Sequence, residues 1–227
     1  MSSPPLSLTL PEEFVLLSYL ASGKVQDSGQ ASFGCAAAEL GELALRRKLL
    51  LRPRKTRKKF GVEFYRYPRD IELLETGRTG LVWADALLAE LEVHASEPEP
   101  VLLRQWLRRR RREALALHRE TLTRRGLLLH RPTRLGRDRY YPCVVTRAAL
   151  IDEIRACYID QRRLDARLLL LCDLVEAAEM RDELSLRLTW RQWLGWSRRA
   201  GVVESVPEEL RETSWMLRLM VPSRKGG

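Results

Sequence analysis

Apolar positions recur at helical spacing along most of this chain, and short strand-like runs interrupt them twice. Phe14, Leu17 and Leu20 mark one face of a helix that begins near Thr9. Thr9 and Glu12 have the spacing of a capping box, and Pro11 suits a first turn because the N–H it lacks has no intrahelical partner there. Residues 23–29 carry turn formers and read as a loop. Residues 35–47 follow as an alanine-rich helix whose small side lets a neighbour pack closely. Residues 49–51 and 62–65 read as two strands around the basic turn 52–59. Residues 81–93 are helical until Glu97-Pro98-Glu99-Pro100 breaks the pattern, and the glutamates there suit the positive end of the next helix dipole. That next helix spans 102–125. Residues 127–129 and 139–145 form a second strand pair across a tight turn at Leu135-Gly136. Thr146 caps a helix to about residue 158. Residues 165–179 form another, apolar nearly all round at 168–171 and therefore central. Further helices fall near 190–199 and 208–220, making about eight helices and two small hairpins. The fold class is mainly α, a single domain over 8–222 with loose tails at 1–7 and 223–227.

Two stretches echo one another. Leu-Ala-Leu-Arg-Arg-Lys-Leu-Leu-Leu at 43–51 and Thr-Leu-Thr-Arg-Arg-Gly-Leu-Leu-Leu at 121–129 are each a helix end, two arginines and a leucine strand that leads into a basic hairpin. A helix–hairpin packing unit used twice has this form. So does a winged helix with its recognition helix and wing, and this is what a nucleic-acid-binding alternative rests on.

Charge sharpens the picture. The chain has 227 residues, 45% of them hydrophobic, with 40 Lys+Arg against 30 Asp+Glu and a net charge of +10. Mean hydropathy is −0.29 and the isoelectric point is near 9.9, values of a globular protein that favours nucleic acid or an anionic membrane surface as partner. Lysine occurs six times, so arginine supplies 34 of the 40 cations. Arginine usage of this kind follows from codon bias, and it also supplies planar forks for phosphate. Cys35, Cys143, Cys157 and Cys172 are scattered without zinc or disulfide-framework spacing, which fits a reducing compartment. No signal peptide is evident, and the densest apolar run is too short to cross a bilayer, so a cytoplasmic location is expected.

Catalytic signals are weak. His94, His118 and His130 do not pair at metal spacing, and no metal or cofactor is expected. No zincin, nucleophile-elbow, Walker or dinucleotide motif is present. Gly77-Arg78-Thr79-Gly80 reads as a plain turn, and Trp190, Trp193 and Trp196 share a helical face that suits core packing or an interaction stripe. A non-enzymatic protein is expected.

The most unusual feature is five consecutive arginines at 108–112. On a helix, Arg104, Arg108, Arg111, Arg112 and Arg119 fall along one face, while Leu103, Trp106, Leu107, Ala114 and Leu117 form the apolar stripe. Arg110 falls close to that stripe, so either the helix breaks or Arg110 snorkels out. A solvated basic face and an anion site both account for the run. Membrane phosphate and duplex DNA would meet it equally well.

Several segments together discriminate. Leu-Thr-Leu-Pro-Glu-Glu-Phe-Val-Leu-Leu from Leu8, Gly-Cys-Ala-Ala-Ala-Glu-Leu-Gly-Glu-Leu from Gly34 and Thr-Gly-Leu-Val-Trp-Ala-Asp-Ala-Leu from Thr79 occur in order. The proline break, Gln105-Trp106-Leu107, Leu-Thr-Arg-Arg-Gly-Leu-Leu-Leu from Leu122 and Asp-Ala-Arg-Leu-Leu-Leu-Leu-Cys-Asp-Leu from Asp165 follow. In this order and spacing, over roughly residues 8–180, the chain resembles the Golgi phosphoprotein 3 family, and its arginine-rich composition suggests a bacterial member.

The resemblance implies a helical domain around a central hydrophobic helix. It implies a peripheral membrane protein that binds phosphatidylinositol 4-phosphate or another anionic phospholipid as an adaptor for a client protein. It further implies a hairpin, here about 128–141, that meets the membrane or a second copy of the chain. Leu135, Arg137, Tyr140 and Tyr141 would be its membrane contacts, and Arg134 and Arg139 flank them. The family's headgroup set carries over at one position, Arg112. No tryptophan lies between Lys24 and Gln30, Phe33 stands where the family has an arginine, and Leu115 replaces another. Arg108, Arg111 and Arg119 join Arg112 as candidate headgroup residues by virtue of charge.

Overall fold

The structure is a computed structural model that describes residues 8–52, 54–55, 65–66, 71–75, 77–96, 103–133, 138–159, 164–186 and 205–223. The tails, the turn around 56–64, the break at 97–100, the hairpin tip with Leu135, and the tryptophan helix at 190–199 lie outside these residues. The chain runs α1 (Leu10–Ser18), α2 (Ser28–Leu45), β1 (Leu49–Leu51), β2 (Arg54–Lys55), β3 (Tyr65–Arg66), β4 (Ile71–Leu73), α3 (Val82–Ala95), α4 (Leu103–Arg124), β5 (Leu128–Arg131), β6 (Arg139–Pro142), α5 (Val144–Ile159), α6 (Ala166–Ala177) and α7 (Glu208–Met220). It is mainly α with short antiparallel hairpins, as the periodicity predicts.

Several helix starts have a local cause. Glu12 reaches back to the Thr9 N–H at 2.8 Å and accepts from the Thr9 hydroxyl at 3.0 Å, which holds the entrance of α1. Asp27 accepts from the Gln30 N–H at 2.9 Å and starts α2 seven residues earlier than expected. Asp165 caps α6 through the Leu168 N–H at 2.7 Å. Thr79 donates its N–H and hydroxyl to Asp85, each at 2.6 Å, so the Gly77–Gly80 segment is a turn that seats α3. The expected cap of α5 is displaced. Thr146 lies inside the helix and donates to the Cys143 thiol at 3.4 Å, so Val144 and Val145 are helical rather than strand.

The core is built around α6, the central helix the sequence predicts, with α2 beside it. α6 is buried from Leu168 to Val175, and α2 is buried almost throughout, from Gln30 to Ala44. α1 is buried on every side and lies close to α2 at Gly34, where a Cβ would fall 2.1 Å from Phe14 Cζ. The first hairpin differs from the expected pairing. β1 pairs with β4, Leu49 facing Leu73 and Leu51 facing Ile71, while Tyr65 pairs with Lys55 further out. The partner of β1 is set where its leucines are buried: the Leu51 N–H also donates to Thr213 Oγ1 of α7 at 3.1 Å. The second hairpin pairs Leu128 with Pro142 and Arg131 with Arg139. Both helix–hairpin echoes end in a left-handed residue, Arg47 (φ 57°) and Gly126 (φ 71°), with Lys48 N–H reaching Leu43 O and Leu127 N–H reaching Leu122 O. α2 is too buried to enter a nucleic-acid groove, so in the first of the two units the helix serves packing.

Candidate anion-binding site

The arginine run does not break the helix, since α4 is one element from Leu103 to Arg124. Nor does Arg110 snorkel out. It turns inward, where its Nε and Nη2 donate to the Glu39 carboxylate of α2 at 2.8 and 2.9 Å, while Nη1 donates to Glu113 at 3.2 Å. His118 Nε2 meets the same carboxylate at 3.0 Å. Glu39 is fully buried. Burial pushes its carboxyl up, but the hydrogen bonds from His118 and Arg110 outweigh burial and hold it below the usual carboxylate range. The network sets the rotation of α4. With Arg110 and His118 inward, Arg111, Arg112 and Arg119 face along the flank toward the start of α2.

These three arginines line a cavity of about 300 Å³ together with Leu115 and Ala116, and Ser28, Gly29 and Ser32 of α2 close the opposite side. The cavity therefore lies between a basic helix face and the N-terminal turn of an 18-residue helix, where the helix dipole favours an anion. Among the described residues none of Arg111, Arg112 and Arg119 forms an ion pair, whereas Arg110, Arg125 and Arg167 each hold a carboxylate. The nearest capping carboxylate, Asp27, is occupied with the Gln30 N–H. Arg111 lies over the Phe33 ring at 4.7 Å, and its Nε is buried without a hydrogen-bond partner among the described residues.

Arg119 joins the cavity to the second hairpin. Its guanidinium sits 4.7 Å from the Tyr140 ring centroid, and Tyr140 also meets Tyr19 at 5.6 Å and stacks on His130 at 4.7 Å. The Tyr19 phenol is pushed up by burial, partly offset by Arg119. The Tyr140 N–H donates to Gly23 O at 2.9 Å, so the loop before α2 and the hairpin form one wall. Tyr141 lies on the other face of β6, under Arg131 at 5.2 Å. Arg108 is exposed and is not among the cavity residues. Leu135 and Arg137 lie outside the described residues.

Sequence reasoning missed Ser28, Gly29 and Ser32, because residues 23–29 read as loop and the helix was expected only from residue 35. The signal was present: Asp27 followed three positions later by Gln30 is a helix-start pattern. Phe33 and Leu115, marked only as departures from a resemblance, prove to be neighbours of the cavity.

The sequence profile of the Golgi phosphoprotein 3 (GPP34) family matches residues 10–215, nearly the whole chain. The chain belongs to the Golgi phosphoprotein 3 family. No curated protein matches it significantly. Of the positions that the resemblance marked, Arg112 and Leu115 line the cavity between α2 and α4, and Phe33 lies under Arg111 beside it. No helix among the described residues is long and apolar enough to cross a membrane, and no group of three His, Cys, Asp or Glu that could hold a metal occurs among them.

Proposed function

We propose that this protein is a peripheral membrane protein that binds anionic phospholipid, with phosphatidylinositol 4-phosphate the first headgroup to test, and that it acts at the cytoplasmic face as a non-enzymatic adaptor for a client protein. The observation that carries the reading is the cavity of three arginines, without carboxylate partners among the described residues, facing the N-terminus of α2. A phosphorylated headgroup supplies what this arrangement lacks: oxygens for charge-assisted hydrogen bonds. Each arginine near an anionic leaflet contributes about 1 kcal/mol, so Arg111, Arg112 and Arg119 together give on the order of a hundredfold in membrane partition.

The second hairpin, whose Tyr140 meets Arg119 of the cavity, is the second membrane contact and the surface through which a second copy would pack; Tyr141, Leu135 and Arg137 are its further contacts by the resemblance. Family membership supports lipid binding as the general class. Sedimentation with phosphatidylcholine vesicles containing phosphatidylinositol 4-phosphate or phosphatidylserine, at low and physiological salt, tests the reading. Binding that weakens with salt and is lost in Arg111→Glu/Arg112→Glu supports it. Wild-type protein that ignores both vesicles at low salt, or that shifts duplex DNA instead, overturns it.

A further inference from the structure

α3 is buried on one side only. Ala84, Leu87, Leu88 and Leu91 face the core, and at about 100° per residue Val82, Ala86, Ala89 and Val93 fall on the opposite side. All four are exposed, Val82 at 89% and Val93 at 62%. Their spacing of four, three and four residues is that of the a and d positions of a coiled-coil seam, roughly 17 Å long. A single exposed valine needs no explanation. A straight row of small and β-branched apolar side chains lets a second helix pack closely along it.

The flanks decide the partner. In the same register Asp85 and Glu92 border the seam on one side, Trp83 and Glu90 on the other. α3 has three carboxylates and no lysine or arginine, in a chain whose net charge is +10. Two of the carboxylates are fixed in place, Asp85 by Thr79 at 2.6 Å and Glu90 by Trp106 Nε1 at 2.9 Å. Charges at these flanking positions set partner choice between paired helices. A second copy of α3 would bring carboxylates against carboxylates, and an anionic bilayer would meet the same repulsion.

We propose that α3 is a docking face for one amphipathic helix of a partner protein, with an apolar seam and lysine or arginine on both flanks. For its role the proposal rests on the adaptor reading: α3 is the face that holds the client, and none of its residues lines the arginine cavity.

The test titrates the full chain into a fluorescent synthetic peptide of three heptads, with isoleucine and leucine at the seam and lysine on both flanks, read by anisotropy. A control peptide carries glutamate on the flanks. Like charges on both flanks keep each peptide from pairing with itself. The lysine peptide binds at least about tenfold more tightly and weakens with salt, although net charge alone would favour the glutamate peptide. Ala89→Glu puts a charge in the seam and Glu92→Lys reverses one flank; each lowers affinity for the lysine peptide on the order of tenfold, while vesicle sedimentation and Tm stay at wild-type values. Glu92→Lys also gains affinity for the glutamate peptide, which a folding defect would not produce. Equal binding of the two peptides, binding of neither, or loss of vesicle sedimentation in Ala89→Glu overturns the proposal. Self-association of the wild type that Ala89→Glu abolishes overturns it too, and makes the face a contact between copies. Wild-type protein that holds the lysine peptide but ignores both vesicles keeps the proposal and overturns the membrane reading.

Discussion

Replacing Arg110 by leucine tests whether the arginine run is partly structural. Arg110 has 15% of its side chain exposed, Glu39 none and His118 1%, so the substitution strands a carboxylate in the core with one neighbour, His118 Nε2 at 3.0 Å. The two lost hydrogen bonds, 2.8 and 2.9 Å, are charge-assisted and are worth about 1.5–3 kcal/mol each. Breaking one side of a buried pair costs about 3–5 kcal/mol, so about 4 kcal/mol is expected, or a fall in Tm of roughly 10 °C for a chain of this size. Removing both partners in Arg110→Leu/Glu39→Leu leaves only the imidazole to satisfy and returns stability to within about 2 kcal/mol of wild type.

The pH dependence has a definite sign. In the wild type Glu39 is held below its usual range, so its contribution is present above the unfolded carboxylate pKa and is lost as pH falls through the folded one. In Arg110→Leu the carboxyl prefers its neutral form, so the penalty is largest near neutrality and shrinks toward pH 5. Urea unfolding followed by tryptophan fluorescence at both pH values reads all of this. A single variant within about 1 kcal/mol of wild type, or a double variant as unstable as the single, refutes the reasoning.

Glu13 is pushed up to about 7, because burial outweighs the opposing charge of Arg167. The native state then holds an extra proton between the ordinary carboxylate range and 7, so stability falls as pH rises across that window, by up to about 3 kcal/mol, and Glu13→Gln flattens the slope in pH-dependent melts. Gly34→Ala places a methyl 2.1 Å from Phe14 Cζ and lowers stability by about 1–3 kcal/mol in urea titrations; a neutral result means α1 and α2 part easily. Gly126→Ala meets no atom within 4 Å yet sits at φ 71°, so its loss of about 1 kcal/mol is purely conformational, and Gly126→Asn recovers part of it. Arg111→Glu/Arg112→Glu abolishes vesicle sedimentation at physiological salt and lowers Tm by about 4 °C at most, because Arg112 is exposed, Arg111 loses one ring contact with Phe33 worth about 1 kcal/mol, and neither forms an ion pair among the described residues.

Much of this protein is written locally. The Thr9–Glu12 box, the Asp165 cap, the helix over 208–220 and the Gly126 stop are decided within a few residues, and backbone hydrogen bonding makes such signals sufficient on their own. The membership and general class follow from motif order along nearly the whole chain.

What the tertiary structure decided is every choice between partners far apart in sequence. β1 takes β4 rather than the nearer residues 62–65, because strand pairing is settled by which face α7 buries. Arg110 goes inward because a carboxylate 71 residues away lies beneath it in the core, a fact no periodicity carries. The same inward turn leaves Arg111, Arg112 and Arg119 at the cavity, opposite serines and a glycine that the local pattern marks only as loop. Five adjacent arginines have equal charge by sequence. Packing gives them different tasks, because burial charges a heavy cost for an unpaired cation and imposes none on its solvated neighbours.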